Sequence, residues 1–125
     1  MACCQLRESS MQYMLMIFGD ESVQAKMTKA DGEMMMAGYK AYTDALLKAG
    51  VMKDGNPLQK SATASTVRVK DGKTKVLNGP YAESKEQLGG YYIIEVADLD
   101  QALAWAAKCP GAQHGTIEVR PILPM

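Results

Sequence analysis

The sequence predicts an α+β fold, a ferredoxin-like βαββαβ sandwich. Two amphipathic helical stripes alternate with short β-prone runs in the order β-α-β-β-β-α-β, counting the middle strands separately. An Asp71-Gly72 turn joins two of those runs into a hairpin. The 125 residues, 47% hydrophobic, suit one domain with one core.

The first strand is the apolar run at 11–18, ended by Gly19-Asp20. A helix follows over 29–49. Thr28 is placed to cap it, and Asp31 stands three residues on. Met34, Gly38, Ala41, Tyr42, Ala45, Leu46 and Ala49 form its expected core stripe. Lys40, Asp44 and Lys48 follow at i, i+4 on another face, and Gly50 suits a left-handed C-cap. Asp54 to Pro57 reads as a loop. The hairpin pairs Thr66–Lys70 with Lys73–Leu77, and its lysines suit a solvated edge. Residues 78–88 read as a polar loop, with room for one helical turn. Gly89-Gly90 opens the next strand, Tyr91–Val96. Asp98 caps a second helix over 99–108, whose expected stripe is Leu99, Ala102, Leu103 and Ala106. Pro110-Gly111 stops it. The last strand is Thr116–Ile122, where Pro121 marks an edge or a bulge.

Charge and cysteine usage exclude several classes. Fourteen Lys+Arg balance fourteen Asp+Glu, and each half of the chain is balanced too. No strongly basic half offers itself to nucleic acid. Cys3, Cys4 and Cys109 are an odd set without metal-ligand spacing. They read as free thiols of a reducing cytoplasm. No run is long enough to span a membrane. Residues 1–10 read as a disordered extension ahead of a domain at 11–125. No phosphate loop or nucleophile elbow is present, so no cofactor and no metal is expected. His114 is the single histidine, in a segment read as a loop.

Strand alternation sorts the remaining candidates by face. Tyr92, Ile94 and Val96 share one face, as do Ile117 with Val119 and Tyr13 with Leu15 and Ile17. These sets suit the helices. Arg68, Tyr91, Glu95, Glu118 and Arg120 then fall on the open side. A sheet with one open face needs a partner, and a homodimer is expected. The polar groups on that face would become pocket groups or inter-subunit ion pairs. The candidate ligand-binding set is Tyr13, Arg68, Tyr91, Glu118 and Arg120.

The segment NGPYAESKEQLGGYYIIEV, residues 78–96, resembles the motif of the DGPF family, a branch of the YCII-related proteins. That pattern is D-G-P-F-A-E-[TS]-K-E-Q-L-G-G-[YF]. Gly79, Pro80, Ala82, Glu83, Lys85, Glu86, Gln87, Leu88, Gly89, Gly90 and Tyr91 match it. Asp98 to Ala107, Gly115 to Ile122 and Tyr13 to Ile17 are also similar to the family, so the resemblance covers residues 11–123. Asn78 stands where the pattern has Asp, and Tyr81 where it has Phe. The resemblance implies a bacterial protein forming a dimeric α/β barrel, two ferredoxin-like units packed sheet to sheet. It implies that Asn78, Gly79, Pro80, Tyr81, Glu83, Lys85 and Glu86 form a motif loop over the site. Some relatives resemble small lyases or dehydrochlorinases with an early His/Asp pair. This chain has no histidine before His114, so that pair is not carried over and turnover stays open. The family's link to extracytoplasmic-function sigma factors implies the alternative, a non-catalytic regulatory module. Two function classes therefore remain: a homodimer binding a small polar molecule at the concave sheet face, and an interaction module.

Overall fold

The computed structural model describes residues 10–125. Cys3, Cys4 and all of the expected extension except Ser10 lie outside the described residues. The elements run β1 (Met11–Gly19), α1 (Glu21–Gln24), α2 (Lys29–Lys48), β2 (Met52–Pro57), a 3-10 turn (Ser61–Thr63), β3 (Ser65–Lys70), β4 (Lys73–Asn78), β5 (Gln87–Val96), α3 (Leu99–Lys108), α4 (Gly111–His114) and β6 (Thr116–Pro121). Four strands form one antiparallel sheet in the order β2-β5-β1-β6. That is the ferredoxin-like order, with α2 and α3 covering one face. No helix among the described residues is long and apolar enough to cross a membrane.

One assignment changes. The second strand of the sheet is Met52–Pro57, which includes the segment read as a loop. Asp, Gly, Asn and Pro are poor strand formers. They pair here because β5 offers an unfilled edge, and the pairing carries a bulge between Met52 and Asp54. Gly55 lies opposite Tyr92, and a Cβ there would fall 2.7 Å from the ring carbon Cδ1. The absence of a side chain lets the ring lie over that strand. The predicted hairpin is present as β3 and β4, but as a separate two-stranded sheet inserted between β2 and β5. Asp71 (φ 53°) and Gly72 (φ 74°) give both turn residues the positive φ of a type I′ turn.

Both long helices begin and end as their sequence dictates. The Thr28 hydroxyl accepts from the Asp31 N–H at 3.1 Å, and the Asp31 carboxylate accepts from the Thr28 N–H at 3.4 Å, a complete capping box. At the other end Gly50 takes φ 73°, its N–H donating to Leu47 O (3.0 Å) and that of Val51 to Leu46 O (3.2 Å). This is a Schellman cap. Asp98 accepts from the Gln101 N–H at 2.9 Å and starts α3. The core stripes, however, are rotated from expectation. In α2 Tyr42 and Leu46 are buried but Met34 is 74% exposed. In α3 Ala102 and Ala106 are buried, with Cys109 just beyond the helix, while Leu99 and Leu103 are exposed. α4 takes in His114, which was expected in a loop, and α1 is a further short helix.

The core joins Tyr13, Leu15, Tyr92, Ile94 and Val96 from the sheet to Tyr42, Leu46, Ala102, Ala106 and Cys109 from the helix side. Tyr42 packs edge-on against Tyr92 (5.3 Å between centroids) and Trp105 (6.2 Å). Its hydroxyl donates to the Trp105 carbonyl at 2.7 Å, and the Tyr92 hydroxyl shares a 2.7 Å bond with Thr43 Oγ1. Buried tyrosines are thus admitted only with their polar ends satisfied.

Burial holds the phenols of Tyr39, Tyr42 and Tyr92 above their ordinary range, and it raises the Cys109 thiol too. A raised folded-state pKa contributes stability that is complete below the unfolded value and is lost as pH rises. Stability is therefore expected to be flat through neutrality and to fall above roughly pH 9, where unfolded thiols and then phenols ionise. Chemical denaturation from pH 7 to 11 checks this, and a midpoint that does not move would contradict it.

Candidate functional site

The open face of the sheet is apolar in the middle and polar at its margins. Register places Asn56, Tyr91, Met16 and Glu118 in one row across the four strands. The next row is Asp54, Ile93, Met14 and Arg120. Tyr91 and Glu118 are two strands apart, roughly 10 Å. Met14, Met16, Phe18 and Ile93 are half-buried on this side. Tyr91 Oη accepts from Asn56 Nδ2 at 2.9 Å. Glu118 is bonded to Arg120 along the edge strand β6. Glu95, at the opposite end of the same face, accepts from Ser10 Oγ at 2.8 Å and from Gln12 at 3.3 Å, with Lys53 3.8 Å away. These bonds, Ser10's first, hold its carboxyl below the usual range.

Three of the five expected ligand residues, Tyr91, Glu118 and Arg120, therefore share this face. The other two do not. Tyr13 is 3% exposed and belongs to the core on the helix side, its hydroxyl 3.9 Å from Met11 Sδ. The alternation that buries Leu15 buries Tyr13 with it. Arg68 is on the separate hairpin, where its guanidinium stacks 5.0 Å above the Tyr81 ring.

The motif loop brings its far end to the sheet. Asn78 closes β4 opposite Ser65. Gly79 takes φ 106°, and its N–H donates to Ala64 O at 2.6 Å. A left-handed turn of this kind favours glycine. Pro80, Tyr81 and Glu83 are exposed. Beyond them Ser84, Lys85 and Glu86 meet Phe18, Thr116 and Glu118 around an open groove of about 450 Å³. Ser84 Oγ donates to the Glu86 carbonyl, and Gln87 Nε2 donates to Ser84 O at 2.5 Å. Thr116 Oγ1 donates to Glu86 Oε1 at 2.7 Å and ties the loop to β6. Gln87 Oε1 accepts from the Glu21 N–H at 3.0 Å, which anchors the loop to α1 as well. Lys85 makes no salt bridge among the described residues, although its charge helps Ser22 keep the Asp20 carboxyl below its usual range.

Sequence reasoning reached Lys85, Glu86 and Glu118, and it missed Phe18, Ser84 and Thr116. Phe18 could have been found, because it shares the parity of Met14 and Met16 in β1. Thr116 could not, since its role depends on where the loop lands. His114 and Cys109 lie elsewhere, and Cys109 is buried. Among the described residues no group of three or more His, Cys, Asp and Glu is placed to hold a metal ion.

The comparisons with known proteins agree with this architecture. The model of the YCII-related domain matches residues 11–125. A Rhizobium meliloti (strain 1021) protein, described as uncharacterized protein R00369, is 37% identical over 114 residues, covering 90% of this chain and 92% of its own. With its ferredoxin-like sheet and motif loop in place, the chain belongs to the YCII-related domain family.

Proposed function

We propose that this YCII-related chain, on its motif a member of the DGPF branch, is a homodimer that binds a small organic acid in the groove beneath the motif loop. One observation carries the reading. An ammonium without an ion-pair partner, Lys85, sits beside an aromatic ring, Phe18, while the two neighbouring carboxylates are already engaged. Glu86 is bonded to Thr116 and Glu118 to Arg120, so the groove presents a cation and an apolar wall to a ligand. Carboxylates committed in this way favour binding over acid–base turnover. The ligand is then amphipathic, with an ionised head at Lys85 and an apolar body on Phe18. The half-buried apolar centre of the open face supports pairing of two sheets, the dimeric barrel arrangement.

The test is thermal unfolding with a panel of aromatic and aliphatic monocarboxylates, beside native mass spectrometry. A ligand at ten times its Kd adds about 1.4 kcal/mol, a rise in Tm of roughly 5 °C for a domain of this size. At least one acid is expected to give this shift, with Lys85→Ala and Phe18→Ala each removing it. A panel without effect on a correctly folded dimer would overturn the binding assignment.

A further inference from the structure

The β3–β4 hairpin is the part of the molecule least explained by its own chain. All its strand residues except Thr66 are exposed. It is tied down only near its root, by the Gly79 N–H to Ala64 O and by Thr66 Oγ1 to Gly79 O at 2.9 Å. A lone two-stranded hairpin is marginal in water. Yet its faces are segregated as though one were meant to be covered. Register puts Ser65 with Asn78, Val67 with Val76 and Val69 with Thr74 on one face, which carries no charge. The other face carries Arg68 with Lys75 and Lys70 with Lys73. Val67, Val69 and Val76 are 59%, 67% and 59% exposed. Lysines on its free edges discourage strand addition, so the face and not the edge is the contact surface.

We infer that this hairpin is an arm that lays its valine face on a second copy of the chain. The occupant follows from charge. The arm carries four cations and one anion, Asp71, within a chain of zero formal net charge, so the remainder of the chain is net acidic. A second copy therefore offers a complementary surface, and the arm's cations are within a Debye length of whatever the valines cover. The inference rests on the homodimer proposed above and adds where part of its affinity comes from.

The experiment is sedimentation equilibrium on the full chain and on a Val67→Thr, Val69→Thr, Val76→Thr variant. Threonine keeps the β-branched shape and strand preference but places a hydroxyl in the contact. The expected result is dimer dissociation at least tenfold easier in the variant, with the same Tm for both proteins when diluted to monomer. Amide exchange gives an independent readout: residues 66–77 are expected to be protected at dimeric concentrations and to lose protection on dilution. A variant that dimerises with unchanged affinity, and hairpin amides indifferent to concentration, would overturn the arm. If that dimer is nevertheless broken by Met14→Glu on the open face, the homodimer stands and the arm alone falls. A wild-type chain that is monomeric at every concentration would overturn both.

Discussion

Replacing Leu46 by alanine is expected to cost about 3–4 kcal/mol of stability and to lower Tm by roughly 12 °C or more. Leu46 is fully buried, at the junction of α2 with the tyrosine cluster. Loss of three carbon groups forfeits about 2.4 kcal/mol of transfer free energy. The cavity left behind adds the rest, because the neighbours cannot collapse freely. Tyr42 is fixed by its bond to the Trp105 carbonyl, and the Schellman cap at Gly50 fixes the chain just past Leu46. The comparison that makes the prediction sharp is Leu47→Ala. That neighbour is 58% exposed on the same helix, and its loss is expected to stay within about 0.5 kcal/mol. Urea unfolding of both variants tests the helical phase directly. Equal effects would mean that α2 is rotated away from the assigned face.

That phase marks the limit of what the sequence could disclose. Leu46 and Tyr42 were legible as core because both spacings agree on them. Met34, Met35 and Met36 are interchangeable in any hydrophobicity reading, and only packing selects Met35 over the exposed Met34. The type I′ hairpin was legible because Asp71-Gly72 has a conformational preference of its own. β2 was not, since Asp54 to Pro57 acquires strand geometry only from the edge of β5. Gly89-Gly90 lies within β5 for a similar reason. The register slips between Ile17 and Phe18, and a Cβ on Gly90 would fall 3.0 Å from Asn56 O. Bulges and close approaches are properties of the neighbouring strand and leave no mark in local sequence. In the groove the charged members could be listed from parity and motif. Their meeting with Thr116 and Phe18 depends on the path of a loop without periodicity.

Gly115→Ala is expected to cost about 3 kcal/mol and to weaken the groove along with the fold. The reason is steric. Gly115 has φ −153°, an extended conformation open to any residue. A Cβ there, however, would overlap the carbonyl oxygen of Phe18 and stand 3.2 Å from Gly19 Cα. Both obstacles are backbone, so no side chain can rotate away, and relief requires β6 to move off β1. β6 is an edge strand and can move, which keeps the cost within the usual range for overpacking. The movement has a functional consequence. Thr116, the next residue, pairs with Phe18 and holds Glu86, so a shift at Gly115 separates three groups that line the groove. Ligand affinity should therefore fall in Gly115→Ala even at temperatures where the variant is fully folded. Gly32→Ala is the control, because nothing lies within 4 Å of a Cβ there. It removes a glycine from the first turns of α2 and should gain about 0.5–1 kcal/mol without touching the groove. If Gly115→Ala retained both wild-type Tm and binding, β6 could not begin against Phe18. The groove assigned to Phe18, Glu86 and Thr116 would then lose its wall.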